Sequence, residues 1–230
     1  MWLLSQLWRL RASLSAALSS GVVISETRCR APIGAWSTEY ETEAARMQWI
    51  KSVYDNQNDI LRGIRQLHLG GQPFDCDMTY GNGAFWKHEP RPASCFDVDS
   101  ELTDCETACS TSLPLPDASI NSAVFDPPFL TYVRANREGN GDMIMARRFS
   151  GYWRYDELEN HYRLSLEEAA RILVKKGVLV VKCQDIVHNH ALHCTHANVI
   201  RWGETVGFKL KDLFILTAKH RLPSPNKRGA

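Results

Sequence analysis

Ile120-Asn121-Ser122-Ala123-Val124-Phe125-Asp126-Pro127-Pro128-Phe129 is a short strand candidate that runs straight into two prolines. Proline has no N–H to give to a ladder and fixes φ, so a strand over 120–125 must end at Asp126. Further along, Val178-Leu179-Val180-Val181 is a continuous apolar run, the pattern of a strand buried on both faces of a parallel sheet. Between the two runs, 155–176 has helical spacing and Gly177 is placed to cap it. Upstream, 73–77 reads as a strand entering the glycine turn Tyr80-Gly81-Asn82-Gly83, and 94–98 reads as a second strand closing on Asp97 and Asp99. A helix is expected over 41–67, ended by Gly70-Gly71, and another over 195–206, capped by Gly207. A last strand is expected over 212–218. Strands alternating with helices predict an α/β fold with an open, mostly parallel sheet flanked by helices. Such sheets bind ligands outside the carboxyl ends of their strands, where the glycine turn, Asp97 and 126–129 all fall.

Composition narrows the class without choosing a function. The chain has 230 residues, enough for one α/β domain with short extensions. Its net charge of +1 gives no global field, so any nucleic-acid surface must be local. Seven scattered cysteines contain no C-x-x-C pair, so neither a disulfide framework nor a zinc ribbon is suggested; reduced thiols in a cytoplasmic protein are the plain reading. Residues 1–36 are expected to form a flexible extension and 37–230 the domain. The first two dozen residues are apolar but interrupted by Gln6, Arg9 and Arg11, and no run approaches the ~18 residues of a membrane span. Their lack of acids before Glu26, with Arg9 and Arg11 present, resembles an organellar transit peptide as much as a secretory signal, but an unstructured or loosely helical extension is the reading taken. No membrane association is expected, and the oligomeric state is not readable.

The chemistry concentrates at 126–129. An exocyclic amine on a nucleic-acid base is a poor nucleophile, because its lone pair is conjugated with the ring. Two acceptors gripping its hydrogens favour a tetrahedral nitrogen and aim that lone pair. Asp126 offers a carboxylate, Pro127 a rigid backbone carbonyl, and Phe129 a ring on which an extruded base can stack. Gly81 and Gly83 allow backbone to approach a ligand with no Cβ in the way. Trp86 at the third position of the glycine pattern argues against a dinucleotide fingerprint. Asp97 is placed to accept from ribose hydroxyls, and Asp117 to lie near an adenine. The region 130–153 is a long loop carrying Arg134, Arg147 and Arg148, which suit phosphate contacts. The histidines at 188, 190, 193 and 196, with Cys194, fit no tetrahedral spacing, and no metal is expected.

Asp126-Pro127-Pro128-Phe129 resembles the [DNS]-P-P-[YFW] motif of S-adenosylmethionine-dependent amino-methyltransferases acting on adenine N6 or cytosine N4. The stretch from Asp75 through Asp77, Thr79, Tyr80, Gly81 and Gly83 to Trp86 resembles their cofactor loop. Lys182-Cys183-Gln184-Asp185 and Asp212-Leu213-Phe214-Ile215-Leu216 complete a set similar to phage and prophage DNA-methyltransferase-like proteins, covering roughly 49–221. The resemblance implies a Rossmann-like methyltransferase fold, S-adenosyl-L-methionine as cofactor, and methylation of a base amine, adenine N6 in DNA first and RNA second. It implies cofactor contacts from Asp77, Thr79, Tyr80, Gly81, Gly83, Asp97 and Asp117, and catalysis at 126–129. Two rivals remain: a different acceptor, RNA or a protein amide, and a catalytically inactive nucleic-acid-binding remnant. The related proteins continue through one more strand, antiparallel to the Phe214 strand. This sequence stops soon after Pro225, which predicts a missing final strand and an open sheet edge.

Overall fold

A computed structural model describes the backbone of residues 2–10, and residues 50–99, 101–102, 104–131, 151–152 and 154–217 in full. Its centre is an eight-stranded sheet in the order β2-β10-β1-β7-β6-β3-β4-β5. The strands are β1 (Trp2–Leu10), β2 (Val53–Tyr54), β3 (Cys76–Asp77), β4 (Ser94–Asp97), β5 (Glu106–Thr107), β6 (Ile120–Phe125), β7 (Leu173–Gln184) and β10 (Phe208–Thr217). A separate hairpin joins β8 (Ile186–His188) to β9 (Ala191–His193). The run β5-β4-β3-β6-β7 is parallel throughout, and β2 is parallel to β10. Only β1 runs against its neighbours. The fold is therefore α/β with a mostly parallel sheet, compatible with a Rossmann-like architecture.

Helices cover both faces. Helix α1 (Gln57–His68) starts at Asn56, whose side chain accepts from the Asn58 N–H and so satisfies one of the orphan donors of the first turn. It buries Ile60, Leu61 and Ile64 on one stripe. Helix α2 (Tyr155–Ile172) and helix α3 (Thr195–Thr205) lie with the main core, which joins Leu158, Tyr162, Leu166, Ala169 and Val199 to Phe125, Leu179 and Val181. Alternation along β7 separates the faces. Leu179, Val181 and Cys183 belong to the α2/α3 core, and the intervening Lys182 reaches Gln57 on α1.

Three expectations change at the level of elements. The helix expected over 41–67 begins only after Asn56, because Val53-Tyr54 extend the sheet beside Ile215 and Leu216; 41–49 lie outside the described residues. The helix expected to reach Lys176 ends at Ile172. Lys176 has φ of 70° and Gly177 sits inside β7, where the register against β6 jumps from Ile120↔Leu173 to Ser122↔Val178. Gly177 is thus a bulge residue rather than a helix cap. A Cβ on it would come within 2.8 Å of the Val174 carbonyl oxygen and 3.2 Å of that of Asn121. The last strand begins at Phe208, four residues earlier than expected.

The predicted open edge is the largest difference. The Phe214 strand has an antiparallel partner, supplied by the other end of the chain. Ser5 pairs with Phe214 on one side of β1 and with Lys182 on the other, so β1 fills the slot between β7 and β10. Residues 2–10 were expected in a flexible extension; they form a strand with two neighbours. An inserted strand satisfies backbone groups of both, which β7 and β10 would otherwise leave unpaired at that position.

Deleting residues 2–10 should therefore cost several kcal/mol. At roughly 2–4 °C per kcal/mol for a chain of this size, the midpoint of thermal unfolding should fall by about 10 °C or more. Thermal unfolding followed by circular dichroism checks this. A midpoint within a degree or two of the full chain would contradict the assignment of β1.

Candidate functional site

The carboxyl ends of β3, β4 and β6 meet through backbone bonds. The Met78 N–H donates to the Val124 carbonyl at 2.9 Å, Tyr80 N–H to Phe96 at 2.8 Å, and Ala108 N–H to Asp97 at 2.8 Å. Asp77, Thr79, Gly81, Gly83, Asp97 and Asp126 are brought to this one end of the sheet.

Asp126 leaves β6 with its backbone N–H donating to Thr79 Oγ1 at 2.8 Å. Its Oδ2 accepts from Lys182 Nζ at 3.0 Å, in a pair only 19% and 12% exposed respectively at the side chains. The register explains the meeting. Phe125 pairs with Val181, so the next residues, Asp126 and Lys182, face each other on the α1 side. Lys182 Nζ also donates to Gln57 Oε1 at 3.0 Å and lies 4.6 Å from the centre of the Phe85 ring. Burial raises the Asp126 carboxyl above its usual range, against the opposing charge and hydrogen bond of Lys182. Oδ1 has no hydrogen-bond partner among the described residues. Pro127 is buried, and Pro128 and Phe129 are half-buried and irregular beyond it.

Asp77 is 1% exposed and built into the floor. It accepts from the Thr79 N–H at 2.9 Å and from Trp86 Nε1 at 2.6 Å. Burial pushes its carboxyl up to about 7, although both hydrogen bonds pull it down. It fixes Thr79 and Trp86, and its near-complete burial keeps it from a ligand on the open side of the turn. The glycine turn continues from it. Gly81 and Gly83 have φ of 55° and 68°, the left-handed region that favours glycine. Among the described residues, nothing lies within 4 Å of where a Cβ on Gly81 would point, which leaves room for a ligand against the backbone. At Gly83 a Cβ would meet the Tyr80 ring at 2.7–3.3 Å, so this glycine makes room for Tyr80 as well as for backbone. Asp97 Oδ2 accepts from the Gly81 N–H at 2.8 Å and Oδ1 from the Asp99 N–H at 3.0 Å. Each oxygen keeps a second lone pair for a hydroxyl donor.

Asp117 does not join this group. It lies before β6, where Ala118 and Ser119 donate to the carbonyls of Arg171 and Ile172, at the opposite end of the sheet. There it is exposed and paired with Arg171 at 2.6 Å. The sequence offered an acid after two prolines, but the chain had already turned back from the site. Arg134, Arg147 and Arg148 lie outside the described residues. The flanks of their segment are joined, since the Tyr152 N–H donates to the Leu130 carbonyl at 3.0 Å.

Sequence reasoning gave no role to several residues that the structure brings in. Lys182 was legible as a charge ending an apolar run, but its partner was not. A second cluster adjoins Phe125. His161 Nε2 meets Ser110 Oγ at 2.8 Å, His161 Nδ1 meets the Tyr152 hydroxyl, and Ser110 Oγ meets Ser165 Oγ at 2.9 Å. The His161 ring stands edge-on to Phe125 with centroids 6.0 Å apart. Burial lowers the His161 pKa. Among the described residues, no group of three His, Cys, Asp or Glu side chains is placed to hold a metal ion. No helix among them is long and apolar enough to cross a membrane. Neither family models nor curated proteins gave a match to this chain.

Asp77 has a testable pH signature. A carboxyl raised in the folded state holds its proton more tightly there, so its contribution is fully present below about pH 4. It is lost as pH rises towards about 7. Asp77→Asn cannot ionise. The stability of Asp77→Asn relative to the parent should therefore improve between pH 4 and 7 and level off above. Paired denaturant titrations across that range check this; a difference that does not vary with pH would contradict it.

Proposed function

We propose that this protein is an S-adenosyl-L-methionine-dependent methyltransferase acting on an exocyclic amine of a nucleic-acid base, adenine N6 in DNA first. The observation that carries the reading is the position of Asp126 and Pro127. They leave the carboxyl end of β6 beside the left-handed glycine turn, with the Asp126 backbone tied to Thr79 inside that turn. An acceptor site and a ligand turn held by one hydrogen bond are what transfer between two bound molecules requires, because the reacting atoms must be held near contact distance.

The residues present fit the cofactor. Open space over Gly81 accommodates a ligand against backbone, and Asp97 has lone pairs for a ribose diol. When bound, the cofactor supplies an electrophilic sulfonium methyl group. Asp126 Oδ1 and the Pro127 carbonyl would accept the two amine hydrogens, drawing the nitrogen lone pair out of conjugation. Phe129 would support the ring of the base by stacking. Positive charge growing on the amine nitrogen as it takes the methyl group would be stabilised by the nearby Asp126 carboxyl group. The amine proton then leaves to Asp126 or to water; a carboxyl raised by burial is the better acceptor. Lys182 holds the Asp126 carboxyl in place through Oδ2 and opposes the upward shift that burial causes.

The reading as an inactive remnant drew on an open sheet edge, and β1 occupies that position. Methylation of RNA or of a protein amide would use the same acceptors and is separated by the product.

Asp126→Ala should lower turnover by about 10²–10³, taking the loss of one preorganised transition-state hydrogen bond as the guide. Cofactor affinity should change little, since Asp97 and the glycine turn remain. Steady-state methylation and calorimetric binding of S-adenosylmethionine measure the two quantities. Full turnover in the variant would overturn the mechanism, and lost cofactor binding with normal turnover at saturation would move Asp126 into the cofactor pocket.

A further inference from the structure

The tetrapeptide Asp126–Phe129 is gripped at both ends by one side-chain network. At its start, Phe125 closes β6, and the His161 ring of α2 stands edge-on to it with centroids 6.0 Å apart. At its end, the Leu130 carbonyl, next after Phe129, accepts from the Tyr152 N–H at 3.0 Å. The two grips are tied to each other. The Tyr152 hydroxyl meets His161 Nδ1, and the two rings lie with centroids 5.7 Å apart. Asp126 has its own ties, to Thr79 and Lys182, but the tetrapeptide belongs to no helix or strand. Pro127 and Pro128 have no N–H with which to fix themselves, so the placement of Phe129 depends on what holds the flanks.

The network is fastened at a third point. His161 Nε2 meets Ser110 Oγ at 2.8 Å, and Ser110 Oγ meets Ser165 Oγ at 2.9 Å, with both serines buried. With the ring proton on Nε2, His161 donates to Ser110, Ser110 donates to Ser165, and the Tyr152 hydroxyl donates to Nδ1. A neutral imidazole thus satisfies each member in turn. Ser110 lies two residues past Ala108, whose N–H donates to the Asp97 carbonyl at 2.8 Å. The clamp on Leu130 is therefore anchored to the segment that pairs with the end of β4. A polar network whose members are all satisfied rigidifies and specifies one arrangement.

We propose that His161 and Tyr152 are positioning residues, a clamp that sets where Pro127 presents its carbonyl and Phe129 its ring to the acceptor base. The inference rests on the base-amine reading of the site. Both residues act through Phe125 and Leu130 rather than by touching the base. Transfer between two bound molecules tolerates little error, since a misplacement of about 1 Å can cost on the order of 10²-fold in rate. The bond between Ala108 and Asp97 does not involve the Tyr152 hydroxyl, and neither does the glycine turn. Loosening the clamp should therefore disturb the acceptor side and leave the cofactor side as it was.

Three variants separate positioning from folding. Tyr152→Phe removes one hydroxyl and keeps the ring. His161→Leu removes both ring nitrogens, whereas His161→Gln keeps a donor and an acceptor. Circular dichroism verifies that each is folded. Tyr152→Phe and His161→Leu should each lower kcat about tenfold, with the calorimetric Kd for S-adenosylmethionine unchanged. His161→Gln should recover most of the loss. Unchanged kcat in the first two variants, or kcat and cofactor affinity lost together, overturns the proposal. Should the parent protein methylate neither DNA nor RNA, the base-amine reading fails and amide exchange decides the clamp separately. Exchange of the Tyr152 N–H, followed by NMR, should then be about tenfold faster in His161→Leu than in the parent. An equal rate would overturn the clamp.

Discussion

The ion pair between Lys182 and Asp126 is the constraint on which the site depends. A carboxylate at this depth, beside Thr79 and the buried Asp77, is costly without a partner, and breaking such a pair by removing one member typically costs about 3–5 kcal/mol. Lys182 reaches Asp126 only because β7 has the right parity. Its residues alternate between the α2/α3 core and the α1 face, and a slip of one residue would turn Lys182 towards Tyr162 and Leu166 and take Leu179 and Val181 out of that core. The bulge at Lys176-Gly177 sets that parity, by absorbing the extra residues between Leu173 and Val178 against only Ile120–Ser122 on β6. A backbone irregularity at one end of the sheet thereby decides which side chain meets Asp126 at the other.

The same strand carries the second constraint. β7 is parallel to β6 on one side and antiparallel to β1 on the other, with Lys182 opposite Ser5. The strand that bears the ion pair is therefore central only while β1 is in place. Packing of α1 adds to this, since Gln57 supplies the second acceptor for Lys182 and His68 pairs with Asp212 on β10 at 2.7 Å. Sheet completion, helix position and the charge state of Asp126 are linked through adjacent contacts.

Much of this was legible in the sequence where local chemistry is decisive. Two prolines end β6 at Phe125, as they must, and the apolar run 178–181 lies in the middle of a buried strand. The glycine turn is present with both glycines left-handed, and Asp97 and Asp126 stand at its two sides. What escaped was non-local. A glycine after a helical stretch reads as a cap, yet Gly177 is a bulge, because no local signal distinguishes the two. Asp117 has the residue type and neighbourhood of a site acid, but the chain reverses between β5 and β6 and carries it to the far end. Residues 2–10 have no strand alternation strong enough to identify them, and only the vacancy between β7 and β10 gives them a place. The Ser110–His161–Tyr152 cluster joins Ser110 to a distant segment that carries both Tyr152 and His161, and has no sequence signature at all.

The central claim is that this end of the sheet moves a methyl group to a base amine, and product identity tests it most directly. The protein is incubated with S-adenosylmethionine carrying a radiolabelled methyl group, in separate reactions with DNA and RNA, and the nucleic acid is digested to nucleosides. The account predicts label in N6-methylated adenine nucleoside from DNA. Label in neither nucleic acid, from folded protein that binds the cofactor, would contradict it.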